Sequence, residues 1–292
     1  MPHIDNMTNS KSQGSSERIF KGLRKLLRLG SGSSKNHRSQ MTKQTVFISG
    51  GNRGLGFSLV KAFAQEAGTT VVTTARNPDA AAELQKLSKS SGNIHIVKLD
   101  VDSEESINAA GAAIAAITKE LDIFISNSGI ADIDGYVLTT KKQNWIKHYT
   151  TNALGPILLF QALYPLLEKG KLKKAFFLST VAASIQLELP IPGSAYGQSK
   201  AALNYTVREL ALDLKKEGFT IAPLHPGVVG SDMGKEVGEQ LIALDPKIAS
   251  FFDPANVLTP DQSASDLKKV IEGLKPEDTG KFLANDGSEL PW

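Results

Sequence analysis

The chain has no cysteine among its 292 residues, which excludes disulfides, thiolate metal ligands and cysteine nucleophiles. It also lacks any apolar run near the roughly 20 residues needed to span a bilayer. Histidine is scarce: His3, His37, His95, His148 and His225 show no metal-ligand spacing, so no metal site is expected. Charge of one dominant sign is missing as well, with a net of +3. That figure hides an asymmetry. Residues 1–40 carry eight basic side chains against Asp5 and Glu17, a net of +6, which leaves −3 for residues 41–292. A mildly acidic body argues against a nucleic-acid surface. What is present is 41% hydrophobic and 22% charged residues, the balance of a soluble globular protein with room for one sizeable core.

The first forty residues read differently from the rest. They are rich in Ser, Asn, Lys and Arg, and residues 18–29 place apolar side chains at helical spacing between basic ones. That pattern suits a disordered extension, an organelle-targeting segment or a helix lying on a membrane surface. The cytoplasm is the expected location, with mitochondrial or membrane-associated placement as the alternative. From residue 41 to 292 the pattern is one domain of alternating strands and helices. Strands are expected at 44–50, 70–75, 93–99, 121–127, 173–180, 219–224 and 281–284. Helices are expected at 54–67, 78–89, 103–119, 139–169, 194–217 and 260–274. Regular βα alternation predicts an α/β fold, a doubly wound parallel sheet with helices on both faces. Segment 230–260, with Gly, Pro and an apparently exposed Phe251–Phe252 pair, reads as an irregular substrate loop or lid.

The run Ser49-Gly50-Gly51-Asn52-Arg53-Gly54-Leu55-Gly56 separates the first strand from the first helix. Glycine permits positive φ and close approach of backbone to phosphate. The helix behind it offers free N–H groups and a positive dipole end. The arrangement implies a bound dinucleotide, although the spacing is Gly-x3-Gly-x-Gly and not G-x-G-x-x-G. An NAD site sets a carboxylate at the end of the second strand. Here Thr74-Ala75 runs into Arg76-Asn77 instead. Arg76, with Arg53 in the glycine turn, suits a 2′-phosphate, so NADP(H) is expected over NAD(H).

Tyr196 and Lys200 lie four apart, on one face of the fifth helical pattern. A phenol titrates near about 10. A neighbouring ammonium favours the phenolate and makes the hydroxyl a usable acid or base. Glycine turn, Asn127-Ser128-Gly129, Tyr196-x3-Lys200 and Pro226-Gly227 follow in one order. In that order the chain resembles the short-chain dehydrogenase/reductase family over essentially all of residues 43–292. Its turn and Thr74-Ala75-Arg76 are most similar to NADPH-dependent carbonyl reductases. The ending, Gly280-Lys281-Phe282 through Pro291-Trp292, resembles fungal ketoreductases of the norsolorinic acid type.

The resemblance implies a Rossmann fold and assigns roles. Gly50, Asn52, Arg53, Gly54, Leu55 and Gly56 hold the pyrophosphate and the adenosine phosphate, and Arg76 meets the 2′-phosphate. Asp100 and Val101 lie beside the adenine. Asn127 and Gly129, in a run where Ser126 and Ser128 depart from the family, steady the sheet and line the cofactor ribose. Pro226, Gly227, Val229, Ser231 and Met233 cover the nicotinamide. Tyr196 donates a proton, Lys200 binds ribose and lowers the Tyr196 pKa, and Asn152 holds a relay water. The family's serine is replaced. Thr180 takes its aligned position, with Ser179 before it, and Thr180 is preferred because consecutive strand residues face opposite sides. Its hydroxyl keeps the donor and acceptor, while its methyl stiffens χ1. The stretch Leu187–Pro192 lengthens the approach to Tyr196 and is expected to shape the substrate mouth.

These residues predict NADPH-dependent reduction of a ketone or aldehyde, with the hydride carried by the cofactor. Two other readings stay open. One is a non-catalytic NADP(H)-binding redox sensor. The other is a lipid or retinoid oxidoreductase at a membrane surface, motivated by residues 18–29. The partner expected is a small-molecule carbonyl substrate. The family resemblance further implies a homodimer or homotetramer through helices 139–169 and 194–217.

Overall fold

A computed structural model of the protein describes residues 43–189 and 191–292. The basic stretch 18–29 lies outside the described residues. Seven parallel strands form one sheet: β1 (Gln44–Ile48), β2 (Thr69–Ala75), β3 (Ile94–Lys98), β4 (Ile123–Ser126), β5 (Lys174–Leu178), β6 (Thr220–His225) and β7 (Leu283–Ala284). Their order is β3-β2-β1-β4-β5-β6-β7. The order of the strands therefore reverses between β1 and β4, the switch point at whose carboxyl ends open α/β sheets bind their ligands.

Each strand buries side chains on both faces, as a covered parallel sheet demands. In β1, Phe47 enters one core layer while Val46 and Ile48 enter the other. In β5, Ala175 and Phe177 alternate with Phe176 and Leu178 in the same way. Eight α-helices are described. The first layer is closed by α3 (Glu104–Ile117), α5 (Gly155–Leu167) and α6 (Ser194–Asp213). The second is closed by α1 (Gly54–Ala64), α2 (Ala82–Ser91) and α8 (Pro260–Gly273). Among the described residues no helix is long and apolar enough to cross a membrane.

Two segments depart from the sequence reading. The helix expected over 139–169 begins only at Lys142, as α4 (Lys142–Tyr149), and passes through a π-helical turn, Thr150–Leu154, into α5. The Gly155 N–H reaches back to the Thr150 carbonyl, five residues away. Pro156 follows with no N–H to give, so a carbonyl in the turn behind it loses its backbone donor. π-Turns of this kind concentrate at functional sites. The second departure is segment 230–260, expected to be irregular. It is largely helical, with α7 (Asp232–Leu244) followed by a 3₁₀ stretch, Pro246–Phe252. Ser231 caps α7 by accepting from the Gly234 N–H at 3.2 Å. Phe251 and Phe252 are half-buried against Ile133, Leu241 and Ile248, so they are not the exposed pair expected. Gly238 leaves space for the Phe252 ring, which a Cβ there would meet at 3.1 Å.

Candidate active site

The glycine turn is held from beneath. Ser49 is fully buried, and its Oγ accepts from the N–H groups of Asn127 at 3.0 Å and Ser128 at 2.9 Å. The Asn127 side chain donates to the carbonyls of Ser49 at 3.0 Å and Gly50 at 3.1 Å. From β2, Thr74 Oγ1 accepts from the Gly50 N–H at 3.0 Å and Thr73 Oγ1 donates to the Ile48 carbonyl at 2.8 Å. The turn's inward polar groups are thus satisfied by the protein. Gly50 and Gly54 take positive φ, +69° and +55°, which a side chain would strain. A Cβ on Gly56 would overlap the Gly50 carbonyl, and one on Gly51 would overlap Thr73 Oγ1.

The N-terminus of α1 has no side-chain cap and no carboxylate in its first turn. Its free N–H groups and positive dipole end suit an anion. Leu55 packs into the second core layer, so only its backbone is left for this purpose. Asn52, Arg53 and Arg76 are exposed, and neither arginine belongs to an ion pair among the described residues. A close-fitting glycine turn, an uncapped helix end and two unpaired guanidiniums fit a phosphorylated dinucleotide. Asp100 follows β3, and its Oδ1 accepts from the Asp102 N–H at 3.1 Å. The Val101 carbonyl lies directly against Gly155.

Beyond the carboxyl end of β4, Gly129 bridges to the second cluster. A Cβ there would lie 3.0 Å from Asn152 Oδ1 and 3.5 Å from Lys200 Nζ. Asn152, in the π-turn, is fully buried. It accepts from the Ile130 N–H at 2.8 Å, donates to the Ile130 carbonyl at 2.8 Å, and donates to Ser199 Oγ at 3.1 Å. Its amide is therefore committed to fixing the loop after β4.

Lys200 is buried, and its Nζ donates to the Leu178 carbonyl at 2.8 Å. Burial lowers its pKa to about 8. Burial also pushes the Tyr196 phenol up, and a hydrogen-bonding interaction with the Thr180 side chain offsets part of that rise. This corrects the expectation that Lys200 lowers the Tyr196 pKa. The ammonium is aimed at Leu178, and desolvation dominates the phenol. The two hydroxyls at the end of β5 diverge as strand alternation requires. Ser179 Oγ donates to Asn204 Oδ1 at 2.6 Å on the α6 side, whereas Thr180 faces Tyr196.

Pro226, Val229 and Ser231 follow directly beyond the carboxyl end of β6. The Pro226 carbonyl accepts from Ser263 Oγ at 2.7 Å, Val229 bridges to Leu258, and Ser231 Cβ lies 3.4 Å from where a Gly54 Cβ would stand. Met233 is 38% exposed. Sequence reasoning quoted Ser49 and Thr74 only as parts of motifs and gave no role to Thr73, His148, Ser199 and Gln240. Each acts through a long-range hydrogen bond that leaves no local pattern. His148 is fully buried, accepts from the Asp132 N–H through Nε2 at 3.1 Å, and sets its ring edge-on to Tyr196 at 6.3 Å.

Comparison with known proteins agrees with this arrangement. The short chain dehydrogenase family model matches residues 44–242. An uncharacterized oxidoreductase of Schizosaccharomyces pombe is 45% identical over 251 residues, covering 86% of this chain and 99% of its own. A short chain dehydrogenase of Penicillium aethiopicum is 37% identical, covering 85% and 99%. The solved structure of an NADPH-bound carbonyl reductase from chicken fatty liver is 30% identical with a TM-score of 0.76, covering 87% of this chain and all of that one. The carbonyl reductase Sniffer of D. melanogaster is 28% identical with a TM-score of 0.75. The chain belongs to the short-chain dehydrogenase/reductase family. It is an oxidoreductase with the family's Rossmann-type fold.

Proposed function

We propose that the protein reduces a ketone or aldehyde to an alcohol with NADPH as reductant. The observation that carries this reading is the facing pair of Thr180 and Tyr196 hydroxyls with buried Lys200 one turn further along α6. NADP(H) is favoured by exposed, unpaired Arg53 and Arg76, by Arg76 and Asn77 standing directly after β2 where an NAD site sets a carboxylate, and by the NADPH-bound relative. Gly50, Gly54 and Gly56 admit the pyrophosphate to the turn, with Asn52, Arg53 and the Leu55 N–H around it. Asp100, Val101, Asn127 and Gly129 border the nucleoside side, and Pro226, Val229 and Ser231 the nicotinamide side. When bound, the cofactor supplies the hydride that reduces the carbonyl carbon.

Everything else falls to the chain's own groups. A phenol pushed above its ordinary value is fully protonated at neutral pH, so Tyr196 stands ready as a proton donor. Thr180 shares the carbonyl oxygen with it and restricts where that oxygen sits. Lys200, charged below about pH 8, places a positive charge one turn beyond Tyr196, where it would hold the nicotinamide ribose. Asn152 holds the Ile130 backbone, and so Gly129, at the proper height beside Lys200.

The test is consumption of NADPH and NADH by purified protein against quinones, diketones, aromatic aldehydes and polyketide-like ketones. The expected result is NADPH-dependent turnover that falls at least about a hundredfold in Tyr196→Phe, with cofactor binding retained. Full turnover in Tyr196→Phe would sink the mechanism. Tight NADPH binding with no turnover across the panel would replace it with the sensor reading.

A further inference from the structure

The loop between β4 and α4 forms one wall beside Tyr196, and side chains from four helical elements hold it in place. Asn152 grips Ile130 as described. His148 Nε2 accepts from the Asp132 N–H, and Asn144 Nδ2 donates to the Asp132 carbonyl at 3.2 Å. From the start of α6, Ser194 Oγ donates to the Gly135 carbonyl at 2.6 Å. The fourth tie comes from α7, on the opposite wall. Gln240 Oε1 accepts from the Ile133 N–H at 2.9 Å, and its Nε2 reaches Asp132 Oδ1 at 3.5 Å. These residues are 107 apart in the chain.

The tie has a clear location. Ile133 is buried in a small apolar cluster with Leu241 and Ile248, and Ile191, Tyr196 and Phe252 pack against it. Gln240 immediately precedes Leu241. Its amide therefore ties the Ile133 segment to α7 within the cluster against which the Tyr196 ring packs. We propose that Gln240 is a positioning residue that sets substrate selectivity. It locks the Ile133 segment to α7 where their apolar side chains pack together with the Tyr196 ring, and so keeps an apolar surface beside the reacting hydroxyl for the apolar part of an aromatic or branched aliphatic carbonyl compound. This rests on the reductase reading. It adds to that reading the chemical class of the substrate and the residue that enforces it. An apolar surface gains little from a small hydroxylated carbonyl, whose hydroxyls would lie against it without partners.

The test uses the full chain with Gln240→Met, which keeps length and removes both hydrogen-bonding groups. Amide exchange at Ile133 is expected to accelerate. KM for an aryl ketone such as acetophenone is expected to rise about fivefold, the equivalent of one neutral hydrogen bond. NADPH affinity and the KM for dihydroxyacetone stay unchanged. Gln240→Glu alone sets two carboxylates against each other and is expected to behave worse. Adding Asp132→Asn restores a donor opposite an acceptor and should recover the aryl-ketone KM. Unchanged exchange at Ile133, an equal KM rise for both substrates, or no recovery in the double variant would overturn the proposal. Calorimetric binding of acetophenone to the NADPH-loaded protein reads the same preference without turnover. Failure of Tyr196→Phe to lose activity would instead defeat the reductase reading and leave the exchange result standing.

Discussion

Tyr196 and Lys200 are both desolvated, with opposite consequences. Desolvation disfavours whichever form is charged, so it raises the phenol and lowers the ammonium. The lysine's value, about 8, sets a pH limit. Below it the ammonium is present, and above it the positive charge near Tyr196 disappears. kcat/KM for NADPH reports groups of the free enzyme, so it is expected to decline as pH rises through about 8. In Lys200→Met that limb of the profile should vanish along with most of the activity, and a wild-type profile flat to pH 10 would contradict this. Residue identity in the site was legible where spacing carried it, as for Tyr196 and Lys200. Strand alternation separates Thr180 from Ser179 in the sequence, and the structure turns them to different partners. The direction of the Tyr196 shift was not legible, because it depends on how deeply the ring is packed.

Elements carry the second kind of information. The glycine turn works because Asn127, Ser49 and Thr74 use up its inward groups and leave α1 uncapped. Gly56→Ala places a methyl on the Gly50 carbonyl, and relief requires the turn to move. Overpacking of this kind costs typically about 1–3 kcal/mol. The expected outcome is a lower melting temperature together with loss of most NADPH affinity, read by thermal shift with and without nucleotide. Retention of wild-type affinity would mean the turn is more pliable than its contacts indicate. Sequence pattern placed the seven strands and most helix cores to within a few residues. It failed at α7, where Gly234 and Gly238 inside the helix read as loop punctuation. Gly238 is there to accept the Phe252 ring, a tertiary reason with no local signal. It failed also at the π-turn. Its one sequence cue is Pro156, and that residue is compatible with an ordinary helix start.

The whole molecule registers pH through its histidines. His225, at the end of β6, is lowered to about 4 by burial, with Asp286 opposing the shift, and its Nδ1 has no partner. His148 is lowered by burial as well. The unfolded chain takes up protons near the ordinary value of about 6.5, while folded His225 refuses one until about pH 4. Stability is therefore full above pH 6.5 and drains as pH falls toward 4. Between pH 7 and 5 the loss from His225 is on the order of 1–2 kcal/mol. Chemical denaturation at the two pH values should detect it, and His225→Gln should shrink the difference. An identical midpoint shift in the variant would place the effect elsewhere.

Fold class was the most legible property of all, because alternation of strand and helix leaves few topologies open. That same topology governs how the molecule comes into being. Every pairing in the sheet is parallel, and Val46, which meets Val71 on one side, meets Ile123 on the other. No pair of strands can close as a hairpin. Asn127 reaches its glycine turn across 77 positions of chain, and Tyr196 arrives only after five strands have been laid down. Non-local order of this kind makes for slow assembly, on the millisecond-to-second side of known folding rates. The nascent chain thus spends its early life with strand edges unpaired, and a growing polypeptide halted before α6 has the nucleotide turn without its chemistry.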